Sequence, residues 1–485
     1  MPYVPIVGFA PDADPTTPGV LTECDGWIPS PRGLHTGYTA SDAGAEALAS
    51  ACKGLYISRR NDNTTALFAA TATRLYALSS GTWDDRSPGA YSSATAWRFA
   101  TQGNITLAAS LTNKLQAASG DGDFALVTNG GTDAPKASVI CTSLGFVMLG
   151  NYDDGTAYVD GWFCSALQNY LDWAPAVSTQ CANGRLLDTP GPITAMRTLN
   201  ETVIAFKERA VYQGTYQGPP VIWSWRLLSS DVGATGQEAV VDLYYALAWL
   251  GYDGIWLMGG DGVPQRIDGG IREWLFGRID YTYLSAVKGL YDRQRQLVYW
   301  WYPTRDEGSG ALEHYVCYNL QTKRWGAGSV TIEWAAETLS TSETYATYFD
   351  GFSTWDSIPD TTYDFAGWFG SVPYTSVVNS SHKLAYLGGA ASTSTARLNR
   401  FGDEAGITFM RRVAPRWTRV PTAATLACGY VADTGDAMTD DTPVTMASNR
   451  FDLHRSARWH DFELSTTGDA EFSGLTLDYR VAGRE

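Results

Sequence analysis

The stretch Val316–Gly328, VCYNLQTKRWGAG, has a near-copy at Leu75–Ser87, LYALSSGTWDDRS. In each copy a Tyr is followed two positions later by a Leu, and a Trp comes after four further turn-type residues. Residues two apart share one face of a strand, and a short polar connection is typical of a hairpin. Each copy therefore predicts a hairpin in which Leu and Trp are cross-strand neighbours.

Related strand-turn-strand segments recur along the chain and set a period. They begin near residues 55, 98, 138, 193, 240 and 287, and successive starts lie about 40 to 55 residues apart. Four short strands with their turns fill one propeller blade of roughly 40 to 50 residues. The spacing predicts a β-propeller, with Trp83 and Trp325 buried at equivalent positions of different blades. An array of β-sandwiches with similar strand spacing stays open as the alternative.

The remaining sequence divides the predicted all-β chain into four parts. Residues 1–50 are an N-terminal arm and first-blade entry, and 51–337 form the propeller body. Residues 338–400, rich in Ser, Thr, Tyr and Gly, are predicted to be an insertion or distal tip. Residues 401–485 are predicted to form a small β-sandwich or closing blade. The best helix candidate is Ser41–Leu55, which has a capping residue followed by helix formers.

Composition and charge exclude some classes of function. The 485 residues include 51 acidic and 35 basic side chains, which gives a net charge of −16. Proteins that grip nucleic acid normally present a basic face, because neutralising phosphates supplies most non-specific affinity. Tight DNA binding is therefore disfavoured, whereas a surface that DNA slides past is not. The 13% of aromatic residues favours strands.

The seven cysteines are widely scattered and form no CxxC pair, so we expect buried free thiols rather than disulfides or a zinc site. The first residues lack a basic segment followed by an apolar run, and we expect no signal peptide. No apolar stretch approaches the roughly 18 residues that a membrane-spanning helix requires. The expected free thiols predict assembly in a reducing compartment.

Acidic turns are candidates for catalytic carboxylates or for calcium sites. Three of them stand out: Gly120–Asp123, Tyr152–Gly155 and Asp433–Asp441. Asp caps turns and Gly supplies positive φ, so ordinary turn chemistry explains each of them. The last one also lacks the alternating ligands and terminal Glu of an EF-hand loop.

Other motifs give no support for catalysis or for a cofactor. His454 and His460 are predicted to share one strand face with Arg458, without a third zinc ligand. The run Gly326–Val330 lacks a phosphate-loop lysine, and no GxSxG elbow is present. We therefore predict no catalytic, cofactor-binding or metal-binding residue, and no enzyme activity.

The abundance of aromatic residues leaves a second class of function open. Trp83, Trp256 and Trp325 sit within the strand repeats, where packing explains them. Trp355 and Trp368, in the predicted tip, are freer to stack on sugars. A carbohydrate-binding, receptor-recognising propeller is therefore the alternative function, and a propeller hydrolase is a third.

The segment Gly191–Leu275 resembles the core of the tail nozzle (tail tubular protein B-like) and hub proteins of short-tailed bacteriophages. Four stretches carry the resemblance: VIAFKERAVY, SSDVGATGQEAV, GYDGIWLMGGDG and IDGGIREWL. Supporting similarities are GWIPSPRGL near the start, WFCSALQNYLDWAP in the third repeat and RSARWHDFELS near the end. Nothing in the predicted insertion matches.

The resemblance implies a structural virion protein, assembled in the host cytoplasm, that forms a ring extending the tail channel, retains the genome and guides DNA ejection. The implied partners are further copies of the chain, a tail adaptor above, fibres or spikes at the side, and passing double-stranded DNA without sequence-specific binding. If the ring is a homo-hexamer, as in such proteins, six copies would carry a charge of −96. An acidic or neutral channel wall would favour sliding. The insertion is expected on the outer or distal surface.

Overall fold

The computed structural model describes residues 2–339, 373–391, 393–402, 406–432 and 437–483. Strands dominate this part of the chain, and its α-helical content is the single helix α1 (Arg272–Arg278). No helix in the described ranges is long and apolar enough to cross a membrane. The predicted all-β class is confirmed. Trp355 and Trp368 lie outside the described residues.

Six strands precede the first blade. They are β1 (Tyr3–Pro5), β2 (Gly8–Phe9), β3 (Val20–Asp25), β4 (Trp27–Ser30), β5 (Gly33–Thr36) and β6 (Tyr38–Asp42).

Five four-stranded antiparallel sheets follow along the chain. The first two contain β7 (Gly54–Arg59), β8 (Thr65–Ala70), β9 (Leu75–Ser79), β10 (Thr82–Asp85), β11 (Arg98–Gln102), β12 (Ile105–Ala109), β13 (Gln116–Ser119) and β14 (Ala125–Leu126). A ribbon of β15 (Thr128–Asn129) and β16 (Thr132–Asp133) comes next. The other three contain β17 (Lys136–Ser143), β18 (Phe146–Asp153), β19 (Ala157–Cys164), β20 (Ala182–Arg185), β21 (Ile193–Leu199), β22 (Thr202–Lys207), β23 (Val211–Gly218), β24 (Ile222–Ser229), β25 (Val240–Asp242), β26 (Ala246–Leu250), β27 (Ile255–Gly259) and β28 (Gln265–Arg266).

Two further four-stranded units complete a ring. They contain β29 (Lys288–Asp292), β30 (Leu297–Tyr302), β31 (Leu312–Asn319), β32 (Trp325–Ile332), β33 (Trp334–Leu339), β34 (Pro373–Val378) and β35 (Leu384–Ala391), with β6 as the last strand beside β35. The innermost strands touch in the order β7, β11, β17, β21, β25, β29, β33 and back to β7. Short 3₁₀ turns at Gln237–Ala239 and Tyr281–Ala286 lie in the connections.

The propeller prediction is confirmed by this arrangement. Six of the four-stranded sheets are separate blades, and the unit β29–β32 lies between the fifth and sixth of them as part of a ten-stranded sheet. The inner strands begin at residues 54, 98, 136, 193, 240 and 288, within two residues of the predicted starts. The inner strand β33 was not among the predicted starts.

The chain ends build a second body beside the ring. Its strands are β36 (Ser394–Leu398), β37 (Phe401–Gly402), β38 (Ile407–Arg419), β39 (Ala423–Val431), β40 (Thr439–Asp440), β41 (Val444–Thr445), β42 (Phe451–Ala457), β43 (Trp459–Thr467) and β44 (Glu471–Gly483), together with β1 to β5. One sheet continues from the ring, where Ala327 in β32 pairs with Trp27 in β4, and passes through β5, β44, β38 and β42. The other sheet contains β2, β3, β36, β43 and β39.

The observed boundaries differ from the predicted parts at both ends of the ring. The arm and the C-terminal part pair with each other, for example Tyr3 with Thr476 and His35 with Glu471. Within the predicted insertion 338–400, the described strands β34 and β35 belong to a blade, and β36 pairs with β3. Any insertion is therefore confined to a shorter interval, and its predicted position on the outer surface stays a prediction.

The repeated hairpins occupy equivalent places, with one difference in register. Trp83 and Trp325 lie in the fourth strand of their units and are 8% and 4% exposed. Each indole donates to a carbonyl in the connection from the preceding unit: Trp83 to Glu46 O at 3.0 Å, and Trp325 to Ile267 O at 3.0 Å. Leu78 pairs with Trp83 as predicted, but Trp325 pairs with Tyr318. The predicted Leu320–Trp325 pairing is wrong because Leu320 lies in the turn.

The helix predicted at Ser41–Leu55 is also wrong. This segment ends β6, crosses to the next blade as irregular chain and begins β7. Its backbone groups bond to other blades instead of to one another: Glu46 N donates to Gly81 O at 2.8 Å, and Leu48 N to His382 O at 3.0 Å. Burial of Leu48 against neighbouring blades outweighs the modest helix propensity of the segment.

The helix α1 fastens the ring to the second body. Ile271 and Leu275 are fully buried in a core that also contains Leu464 and Leu475 of the second body. The carboxylate of Asp12 accepts from Glu273 N at 2.7 Å and Trp274 N at 2.8 Å, and so caps the first turn from the N-terminal arm. One continuous apolar core therefore joins the two bodies.

Candidate functional site

A cavity of about 380 Å³ lies on the axis of the ring. Six of the seven inner strands line it, namely β7, β11, β21, β25, β29 and β33. In a propeller each blade buries its faces against its neighbours, so the inner edges are the parts left to face the axis. The walls combine apolar side chains such as Leu55 and Val241 with an unusual number of charged ones.

A buried ionic cluster lies where three inner strands begin. Arg98 opens β11, Lys288 opens β29, and Glu238 precedes β25 by two residues. Arg98 donates from Nε and Nη2 to the two carboxylate oxygens of Glu238 at 2.7 and 3.0 Å. Lys288 Nζ lies 3.6 Å from the same carboxylate and 3.9 Å from the centre of the Trp334 ring. Burial opposes the charge of Glu238, but the two cations together hold its pKa well below the usual range.

A third cation, Arg197, lies between this cluster and the other end of the cavity. Its Nε donates to Val240 O at 3.2 Å and its Nη2 to Gln237 O at 2.9 Å, so neutral carbonyls are its hydrogen-bond acceptors. Burial lowers the pKa of the guanidinium, and the charges of Glu238 and Asp242 oppose that effect. An arginine remains protonated at neutral pH despite such a shift. Arg197 therefore keeps a positive charge on the cavity wall.

The opposite end of the cavity is a polar mouth. Arg59 is paired with Glu337, and Tyr244 Oη donates to the same carboxylate at 3.3 Å. Arg293 lies over the ring of Tyr244, 3.7 Å from its centre, and its Nε is 3.8 Å from Glu337. Tyr244 is 51% exposed and has a φ of 71°, a left-handed conformation that side chains rarely adopt. The mouth therefore faces solvent.

The cavity lining is balanced in charge, and its ion-pair partners Lys288 and Arg293 add a positive surplus. The lining and these partners comprise five cations and three carboxylates, which leaves a net charge of +2, while the whole chain carries −16. The cations are Arg59, Arg98, Arg197, Lys288 and Arg293, and the carboxylates are Glu238, Asp242 and Glu337. A low-dielectric wall strengthens the field of such groups. The arrangement can hold an anion.

The acidic turns, the glycine run and the histidines singled out in the sequence do not line this cavity. The turns at 120–123 and 152–155 are hairpin connections, and Gly155 N donates to Asp153 Oδ1 at 2.9 Å as in an ordinary Asx turn. The run Gly326–Val330 lies inside β32, where a Cβ on Gly326 would stand 2.4 Å from Trp27 O. Close backbone approach, not phosphate binding, accounts for that glycine. Asp433 and Asp436 are outside the described residues.

The predicted shared face of His454 and His460 is wrong. The chain changes sheets between β42 and β43, which leaves His454 exposed and His460 fully buried. His460 Nε2 lies 2.9 Å from Thr408 Oγ1, and burial lowers the pKa of its imidazole. Among the described residues, no group of three or more His, Cys, Asp or Glu side chains is placed to hold a metal ion.

All seven cysteines are free thiols, and six of them are buried. Burial raises the pKa of Cys52 to about 12. A thiol must lose its proton to act as a nucleophile. These thiols therefore have the character of packing groups.

Sequence reasoning did not identify the axial cations. A weak signal was present, since each lies among apolar or small residues at the start or within the first strand of a unit: WRFA at 97–100, AMRT at 195–198 and AVKG at 286–289. A charged residue in an otherwise buried inner strand is unusual unless it is paired or faces a cavity. The spacing along the chain gives no indication that the three meet.

Comparison with known proteins adds little to this description. No family model matches the chain, and no curated protein is similar to it. Among solved structures, the crystal structure of the computationally designed Ika8 protein is similar over 73% of this chain and 99% of its own, at 12% identity and a TM-score of 0.36. A similarity this low carries no functional argument. The strand pairing alone establishes the propeller fold.

Proposed function

We propose that the chain is a structural protein of a bacteriophage tail nozzle, which forms a ring around the path of the genome and has no enzymatic role. The support begins with the segment Gly191–Leu275, whose resemblance to nozzle and hub proteins was drawn from sequence. In the fold this segment spans two complete blades, β21–β24 and β25–β28, and reaches into α1. The resemblance thus falls on the scaffold, as expected for a family defined by its architecture.

The observation that carries the proposal is that α1 and the N-terminal arm join this scaffold to the second body. IDGGIREWL contains Ile271 and Leu275, the side chains that enter the common core, and Asp12 of the arm caps the helix. A rigid connection between two β bodies suits a subunit that transmits mechanical load within a ring. A free-standing receptor-binding propeller has no comparable need for it.

The axis of the single propeller is unsuited to be the DNA path. Its cavity of about 380 Å³ is near the lower end of small-molecule pockets, roughly 300–1,000 Å³, and ion pairs occupy both ends. In this proposal the genome passes between copies of the chain, along their acidic outer surfaces. Phosphates are repelled by such surfaces and slide instead of binding.

The proposed partners are further copies of the chain, an adaptor above the ring and fibres or spikes at its side. The proposed location is the virion, after assembly in the host cytoplasm. Exposed tyrosines at the mouth, Tyr244 at 51% and Tyr245 at 61%, favour carbohydrate recognition as a second candidate. Aromatic faces of this kind can stack on sugars.

A reconstruction of the phage particle that carries the chain tests the proposal. We expect a symmetric ring of copies at the distal end of the tail, with Asp, Glu and neutral residues on the channel wall. Copies placed on a peripheral fibre, or a wall dominated by Lys and Arg, would contradict it. Binding of the isolated protein to host polysaccharide, lost in Y244A and Y245A variants, would favour the second candidate.

A further inference from the structure

The axial cavity contains a cation whose charge is not matched at contact distance. Arg197 bonds to the carbonyl oxygens of Val240 and Gln237, and no ion pair joins it to a carboxylate among the described residues. Arg98 and Lys288 share the single carboxylate of Glu238, so that cluster also has a surplus positive charge. Arg197 is half-buried, and charges withdrawn from water are normally paired.

The mouth does not offset this surplus. Arg59 and Arg293 both lie beside the single carboxylate of Glu337, so the mouth also has one more cation than carboxylates. Asp242 acts on Arg197 through its charge, so the net charge of +2 is spread over the cavity and the ion-pair partners of its lining. It contrasts with a chain that carries −16.

The walls define the size and kind of molecule that would fit. Tyr56 and Trp334 provide aromatic surface, and Leu55, Ile57 and Ala335 provide apolar surface beside the cations. A volume of about 380 Å³ holds a small molecule and excludes a polymer. Pockets that combine apolar surface with convergent charged groups bind small ligands.

We propose that the axial cavity binds a small oxyanion whose phosphate or carboxylate group pairs with Arg197, near Arg98. The guanidinium is suited to this role because its planar donors bind phosphate and carboxylate oxygens in pairs. The ligand enters through the mouth at Tyr244, which is half exposed. The site is independent of the proposed role in the tail.

Binding is tested first in solution by thermal unfolding and isothermal titration calorimetry at constant ionic strength. The probes are inorganic phosphate, citrate and adenosine monophosphate, with chloride as the reference. We expect a saturable rise in Tm with at least one probe. The R197Q variant should bind that probe with a Kd about tenfold higher or more, because one charge-assisted hydrogen bond is lost. Phosphate-only or citrate-only binding identifies the group that is recognised.

The matched control is R226Q. Arg226 lies on β24 of the same blade, is exposed, and donates to Gln213 Oε1 at 2.9 Å. R226Q should bind the probe as the unchanged protein does. No saturable effect with any probe, or the same loss of affinity in R197Q and R226Q, would overturn the proposal.

A second experiment needs no variant. Crystals of the unchanged protein soaked in tungstate should give an anomalous peak in the axial cavity beside Arg197. Peaks confined to the outer surface would overturn the proposal, even if R197Q failed to fold.

Discussion

Replacing Glu238 with Gln removes the carboxylate that Arg98 and Lys288 share while it keeps the size of the side chain. The chain offers a control with the same geometry but a more exposed cation. Arg185 donates from Nε and Nη2 to the two oxygens of Asp160 at 2.8 and 3.0 Å, nearly as Arg98 does to Glu238. D160N therefore removes an equivalent bidentate pair. The two carboxylates are similarly buried, and the variants differ in the number and burial of the cations left without a partner.

The expected magnitude follows from that difference. The side chains of Arg98, Glu238 and Lys288 are 16%, 11% and 7% exposed, whereas that of Arg185 is 48% exposed. Removing one partner of a buried pair costs about 3–5 kcal/mol because the remaining charge is left uncompensated. Exposed pairs contribute little because water screens them. We expect E238Q to lose about 3–5 kcal/mol of unfolding free energy and D160N only a small fraction of it.

Guanidinium chloride unfolding, followed by tryptophan fluorescence, measures the loss of unfolding free energy in each variant. Repeating the measurement at several pH values is a second test. The pKa of Glu238 is held below its usual value, so its stabilising effect is fully present above the unfolded-state pKa of about 4.3. The effect is lost as pH falls through the folded-state pKa. The difference in unfolding free energy between the unchanged protein and E238Q should be largest at pH 7 and should decrease in acid. Equal losses in E238Q and D160N at pH 7 would refute the reasoning.

Two further predictions concern the scaffold. G233A should lower the unfolding free energy by about 1–3 kcal/mol, because its Cβ would lie 2.2 Å from Lys207 O and a backbone atom cannot move away without disturbing the strand. The control is G89A, which has open space around the added Cβ and should be nearly neutral in the same denaturant assay. D461N should be more stable than the unchanged protein at pH 8, by roughly 1.4 kcal/mol per unit of pKa shift, because burial raises the pKa of Asp461 to about 6 despite Arg397 nearby. The gain should vanish below pH 4, where Asp461 is neutral in both states, and a less stable D461N at pH 8 would contradict it.

The starts of the inner strands could be predicted because they depend on local features. Turn residues such as those of GYDG at 251–254 end one strand and begin the next, and blade length limits the interval between units. Trp83 and Trp325 were predictable for the same reason. The strand register at Trp325 could not be predicted. It depends on a turn in which the carbonyl and the side chain of Asn319 accept backbone hydrogen bonds. The Tyr-Leu-Trp spacing does not specify such a turn.

The closing of the ring and the second body could not be predicted from local features. The strand β6 pairs with β35 through partners such as Ser41 and Tyr386, and β1 pairs with β44 through Tyr3 and Thr476. These partners are hundreds of residues apart, and nothing in the period of the repeats indicates them. The same long-range pairing explains the mistaken helix at Ser41–Leu55, whose apolar residues are buried by other blades and not by a helical face.

The axial site was missed for a related reason, and its charges also separate the two proposals. Arg98, Arg197 and Lys288 come from three different units and converge only because the inner strands surround one axis. If +2 of the total charge of −16 lies inside the cavity, the rest of the chain carries −18. That acidic remainder is what a channel between copies would present to DNA, whereas Arg98 and Lys288 are shielded from it by the blades. A change at Arg197 should therefore alter anion binding without altering ring assembly. A change in the acidic outer surface should alter ring assembly without altering anion binding.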